Sequence, residues 1–337
     1  MKLDNNDNKM NRRQFLKCLA GGAVAATALL KFVNLATAKT LTTTSAPSAN
    51  LAAFMGKSLV VKVGSPRVVS FEGFNRRILQ EMIMSGISEM VGVTSFSKAL
   101  NELFSKKDII GFKFNEFNAD LLRTNVPLAE ELLRLMVRNG FKADQIFFMG
   151  AQPNDPDLPP CRKIQFGWGK TVDFGSGSDQ FIGALDQATA IVSVATLKAS
   201  SIVGIDGCLK NITLDVLKHP VRYYGNNGIP HIPDIYALPM IRDRLRFNLL
   251  SALKVLIRSE QITEYNAVEK PQVLLFSKDP LAVDSVGFEL LDNLRKSKSL
   301  GPLVEGSDFP HHLVVAGQRN LGVYHPDQIY IREIKTF

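Results

Sequence analysis

Three cysteines stand in 337 residues and none belongs to a CxxC pair, so the usual local signatures of a zinc site or a ferredoxin-type iron–sulfur cluster are missing. HExxH is missing too. No internal repeat is visible. The uncharged run from Leu19 to Leu30 is short and rich in Ala and Gly, whereas a helix that spans a bilayer needs about 20 apolar residues, so this run does not read as a membrane anchor. A basic stripe is also lacking. The formal charge of +8 falls to 8 − 4 = +4 without residues 1–38, which hold six basic and two acidic residues, and the remaining Lys and Arg are scattered among Asp and Glu. That distribution argues against a nucleic-acid binder.

What is present at the start has the form of an export signal. Asn11-Arg12-Arg13-Gln14-Phe15-Leu16-Lys17 precedes the weakly apolar run, and Ala36-Thr37-Ala38 supplies the small-x-small site for a signal peptidase. The expectation is a twin-arginine signal peptide over 1–38, with Arg12 and Arg13 read by the translocase and cleavage after Ala38, giving a periplasmic protein. Residues 39–56 are rich in Thr, Ser, Ala and Pro without periodicity, as in a flexible tether, and a single domain is expected over 57–337. Of the cysteines left, Cys161 and Cys208 either bridge in an oxidising compartment or stand as separate thiols; the sequence leaves both open.

Short apolar strands alternate with longer helical patterns. Strands are expected at Ser58–Val63, Asp108–Phe114, Ile146–Gly150, Ala188–Thr196, Gln272–Phe276 and, as an edge strand, Ile329–Ile334. Helices are expected over Phe74–Ile87, Phe96–Leu103, Val126–Arg138, Leu245–Ile257 and Pro280–Leu294, and a long Pro- and Gly-rich functional loop over His219–Pro239. This alternation predicts an α/β, Rossmann-like, doubly wound and mostly parallel sheet with helices on both faces.

Ligands of such sheets sit at the carboxyl ends of the strands, which draws attention to Lys113, Asn115, Lys198 and Asp279. Gly207-Cys208-Leu209-Lys210-Asn211 opens an apolar segment whose amides suit an anion. Three ammonium groups brought together repel by about 1 kcal/mol per pair at 4 Å in water, so convergence of Lys113, Lys198 and Lys210 implies an anion among them. Asp279 before Pro280 also reads as a helix N-cap, and Asp284 as a carboxylate favoured by the first turns of that helix. His231 and Asp234 are the candidates for moving a proton, and with His219 they form a weak candidate metal set. His311-His312 reads as surface.

Taken in order, Lys113-Phe114-Asn115, Thr196-Leu197-Lys198, Gly207-Cys208-Leu209-Lys210-Asn211, His231-Ile232-Pro233-Asp234-Ile235 and Ser277-Lys278-Asp279-Pro280-Leu281-Ala282-Val283-Asp284-Ser285-Val286 resemble the family known as domain of unknown function 362. The tail Asn320-Leu321-Gly322-Val323-Tyr324 fits as well. The resemblance implies no defined activity. Some family members add a 4Fe-4S segment, for which this chain has no cysteines, and the cofactor stays unknown. Where the family has Lys-x-His, this chain has Lys198-Ala199-Ser200, and Phe114 stands in place of the family's proline. The missing histidine implies another substrate or no turnover. The functions expected are an enzyme acting on an anionic small molecule, a non-catalytic periplasmic binding or accessory protein for a partner enzyme, and a degenerate family member kept for protein contacts.

Overall fold

The computed structural model describes residues 56–337 apart from 72, 117–118, 165–166, 259–266, 302 and 304–309. The expected signal, with Arg12, Arg13, Ala36 and Ala38, lies outside the described residues. The strands are β1 (Ser58–Gly64), β2 (Ile110–Phe114), β3 (Ile146–Met149), β4 (Trp168–Asp173), β5 (Ser178–Ile182), β6 (Ala190–Ser200), β7 (Gly204–Asp206), β8 (Leu245–Leu256), β9 (Val268–Glu269), β10 (Val273–Ser277) and β11 (Ile329–Lys335). Seven of them make one sheet in the order β11-β1-β10-β8-β6-β2-β3; β7 and β9 attach to β6 and β8, and β4–β5 is a separate hairpin.

The sheet is mixed but mostly parallel. β11–β1, β8–β6, β6–β2 and β2–β3 pair in parallel, whereas β10 runs antiparallel to both its neighbours. The α/β, Rossmann-like architecture expected from the alternation is therefore present, with one strand reversed. The reversal has a direct consequence for the site: the carboxyl end of β10 is at the opposite edge from those of β2 and β6.

The central strand β8 corrects the helix expected over Leu245–Ile257. Its residues Phe247 to Leu253 are buried without interruption, because both faces of a central strand are covered. A continuous apolar run of this kind has no period that separates it from a buried helix.

Helices cover both faces. α1 (Arg76–Val91), α2 (Phe96–Leu103) and α3 (Asn125–Arg138) pack on one, through Leu79, Met82, Leu100, Leu132 and Met136 against Phe112, Phe148, Val192 and Phe276. α1 begins at Asn75, whose side chain accepts from Ile78 N at 3.2 Å, and ends at Gly92, whose φ of 87° lets its N–H reach back to Ser88 and Glu89. A cap contributes about 1 kcal/mol and a fully buried Leu or Met about 1.5–3 kcal/mol. Packing on the sheet, through Ile78, Leu79, Met82, Ile83, Ile87 and Met90, is what holds α1.

The other face carries α4 (Cys208–Asn211), α5 (His231–Tyr236), α6 (Pro280–Ser297) and α7 (His311–Gln318). The long loop expected over His219–Pro239 is instead a series of short helical turns including α5, and its Tyr223, Ile232, Ile235 and Tyr236 are buried in the core. Cys161 and Cys208 are separate thiols, Cys208 in this core and Cys161 against the opposite one. Among the described residues no helix is long and apolar enough to cross a membrane.

Candidate functional site

Parallel β2 and β6 carry Lys113 and Lys198 toward the same edge of the sheet, and the turn from β6 through β7 into α4 returns Asp206, Lys210 and Asn211 beneath them. Lys198 lies directly opposite Asp206 in the β6–β7 register, with 3.3 Å between Nζ and Oδ2. Lys210, four residues after Asp206, reaches its Oδ1 at 3.4 Å and Asp215 Oδ1 at 2.5 Å. Asp206 thus bridges two lysines, and Asp215 closes the group from the following 3-10 turn.

Lys113 is held differently. Its Nζ donates to the carbonyl of Phe114 at 2.7 Å and to Asn211 Oδ1 at 3.2 Å. Asn211 returns the contact through Nδ2, which donates to Lys113 O at 2.7 Å and Ser193 Oγ at 3.0 Å. Asn115 pairs with Thr196 in both directions at 2.9 Å and so ties the end of β2 to β6, after Lys113 on one strand and before Lys198 on the other. Thr124 and Asn125, at the start of α3, complete this layer: the Thr124 and Thr196 hydroxyls are 2.8 Å apart, and Asn125 Nδ2 donates to Asn115 O at 2.7 Å.

The cluster is enclosed. Lys113 and Lys198 are each 1 % exposed, Lys210 7 % and Asn211 0 %. Burial disfavours every charge in it, and the outcome differs by partner. For Lys210 burial is outweighed by Asp206 and Asp215, which hold its pKa above the ordinary lysine value. For Lys198 and Lys113 burial wins and the pKa is lowered, with Asp206 opposing the shift at Lys198, and the more distant Asp215 and Glu116 opposing it at Lys113. Asp206 stays below the ordinary carboxylate value because Lys198 and Lys210 overcome its own burial. The chain itself therefore supplies anions to offset the repulsion among the three lysines.

Lys113, Lys198, Lys210, Asn115 and Asn211 come together as expected from the strand ends. The acidic candidates do not join them. Asp279 sits at the far edge, since β10 is reversed, and is committed to structure: Oδ1 accepts from Leu281 N at 2.9 Å and Ala282 N at 3.2 Å, and Oδ2 accepts from Ser58 Oγ at 2.7 Å and Val323 N at 2.8 Å. Asp284 occupies the amides that were expected to receive a ligand. Its Oδ1 accepts from Cys208 N at 2.7 Å and its Oδ2 from Leu209 N at 2.9 Å, and a Cβ on Gly207 would lie 2.5 Å from Oδ1. Glycine is required there so that the carboxylate can approach.

His231 and Asp234 have other partners. His231 Nδ1 is 3.0 Å from Ser176 Oγ, and Asp234 pairs with Arg319. His219 Nδ1 is 3.0 Å from Asp179 Oδ1, so His219, His231 and Asp234 do not form a ligand set. Among the described residues no group of three or more His, Cys, Asp or Glu is placed to hold a metal ion. His312, expected at the surface, is wholly buried because α7 turns that face onto the core. Burial, reinforced by the charge on Lys210, lowers its pKa to about 3.

No protein-family model and no curated protein matches the chain. The site therefore has to be read from its own chemistry. Asp206, Asp215 and Ser176 were missed in the sequence. Asp206 had a signal in its i,i+4 spacing to Lys210, and Ser176 in the glycines on either side of it. Two surface cavities lie elsewhere: about 340 Å³ around Gln152, Asp155, Cys161 and Arg162, and about 270 Å³ around Ser85, Glu89, Gly92 and Thr94. Neither is lined by the lysines.

Proposed function

We propose that this is an exported protein, carried folded by the twin-arginine route and akin to the domain of unknown function 362 family, whose α/β domain binds an anionic small molecule at Lys113, Lys198 and Lys210. One observation carries the reading. Asp206 pairs with Lys198 and Lys210, and Asp215 with Lys210, whereas Lys113 Nζ, among the described residues, donates to two neutral oxygens, Phe114 O and Asn211 Oδ1. A small anion entering beside Lys113 supplies the counter-charge that this amine lacks and raises its pKa back toward the ordinary value. Binding is then linked to proton uptake and strengthens as pH falls.

Titration calorimetry with sulfate, whose charge is constant near neutral pH, tests this. Sulfate is expected to bind more tightly at pH 6 than at pH 9, and Lys113→Gln to weaken it by about tenfold or more, the loss of one charge-assisted hydrogen bond of about 1.5–3 kcal/mol. Lys113→Gln is the informative variant, because removing Lys210 takes from Asp215 its ion-pair partner and from Asp206 one of two, and costs about 3–5 kcal/mol of stability. Equal sulfate affinity in the wild type and Lys113→Gln rejects the site. A second reading, capture of the anion without turnover, is favoured by the engagement of His231 and Asp234 with Ser176 and Arg319 rather than with the lysines.

A further inference from the structure

Away from the lysines, the β4–β5 hairpin ends in Phe174-Gly175-Ser176-Gly177, and this turn presents a hydroxyl to an imidazole. Ser176 Oγ and His231 Nδ1 are 3.0 Å apart. Both flanking positions demand glycine. Gly175 has φ +87°, and a Cβ on Gly177 would fall 2.8 Å from the Tyr223 ring and 2.9 Å from that of Phe174. With no side chain on either neighbour, the approach to the Ser176 hydroxyl is left open, and Ser176 itself is half-buried.

The imidazole is fixed in orientation. Tyr223 and Phe174 contact the His231 ring edge to face, with centroids at 5.0 and 6.3 Å, and lie 5.2 Å from each other. Tyr223 is anchored in turn by its hydroxyl, which donates to Ser178 O at 2.7 Å and clamps the hairpin against the turn that carries it. Burial lowers the His231 pKa against the opposing charge of Asp234, which keeps the ring neutral at pH 7 and able to accept a proton. A serine held at hydrogen-bond distance from a neutral, oriented imidazole is the arrangement that activates a hydroxyl for attack.

We infer that Ser176 and His231 form a nucleophile–base pair for acyl transfer from a carboxylic ester. In the tautomer with its proton on Nε2, His231 accepts at Nδ1. The Ser176 O–H bond breaks as Oγ bonds to the carbonyl carbon, and the proton passes to Nδ1. Collapse of the tetrahedral species expels the alcohol, which takes that proton and leaves an acyl-serine. Water then attacks the acyl carbon, giving up its proton to His231, and the carboxylic acid leaves as Oγ recovers its hydrogen. This chemistry is independent of the lysine cluster and does not require the sulfate site to exist.

The test uses the purified full chain with a fluorophosphonate and with p-nitrophenyl acetate. One phosphonyl adduct is expected, mapped to Ser176, and ester hydrolysis is expected to drop to background in Ser176→Ala and by about 100-fold in His231→Gln. Ser176→Ala, on an open turn, is expected to melt with the wild type, which secures the comparison if His231→Gln folds poorly. Absence of an adduct in the wild type, or the same hydrolysis rate in Ser176→Ala, overturns the proposal. An adduct rate unchanged in a folded His231→Gln removes the base and overturns it equally.

Discussion

Asp284 is the residue whose chemistry is most at odds with its surroundings. It is fully buried on α6, and burial raises its pKa to about 7 although the amides of Cys208 and Leu209 pull it down. The folded-state value lies above the unfolded value of 3.8, so the stability it contributes is complete below pH 3.8 and is lost as pH rises through about 7. Asp284→Asn abolishes this titration. Urea unfolding between pH 4 and 8 is expected to show the wild type losing stability relative to the variant, at up to roughly 1.4 kcal/mol per pH unit; parallel curves would mean an unperturbed carboxyl. Such pairings were not legible in the sequence, because Gly207 and Asp284 meet only through the packing of α4 on α6. Lys113 and Lys198 were legible, since a residue that ends a parallel strand is committed to one edge of the sheet before any tertiary contact is known. Asp206 and Asp215 were not singled out, having the look of ordinary turn carboxylates.

At the scale of elements, close approach decides the packing of α1 on β10. A Cβ on Gly86 would lie 2.2 Å from Cε2 and 2.3 Å from Cδ2 of the fully buried Phe276 ring. Gly86→Ala is therefore expected to cost about 1–3 kcal/mol despite the better helix propensity of alanine, visible as a lower melting temperature. An unchanged or higher value would show that the ring moves aside freely. α1 could be read from its helical spacing and α3 from Pro127 at its start and Asn139-Gly140 at its stop, β1, β2, β3, β6 and β10 because each is an apolar run, and β11 because it alternates. β8 could not, having apolar residues on both faces, nor could the direction of β10, since a short apolar run carries no mark of which way it pairs. The turns over residues 219–239 were unreadable for the opposite reason: Pro, Gly and Asn suppress regular periods, and the packing of Tyr223, Ile232 and Ile235 supplies the order instead.

For the molecule as a whole, the proposed export rests on Arg12 and Arg13, outside the described residues. Replacing both with lysine is expected to leave uncleaved precursor in the cytoplasm by fractionation and immunoblot, and mature protein at normal periplasmic yield would exclude the route. The sheet bears on the order in which such a chain completes itself. β1, the first strand, pairs only with β10 and β11, the last two of the sheet. From Gly64 to Ile329 is 329 − 64 = 265 residues, roughly 13–53 s of synthesis at about 5–20 residues per second. Throughout that interval the edge of β1 that meets β11 is unmatched, and until β10 is made at Val273 the other edge is unmatched as well. Closure of the sheet is thus a post-translational event, and a ribosome that stalls anywhere before Val273 leaves a nascent chain with a sticky leading strand, a substrate for chaperones rather than for a translocase that carries finished folds.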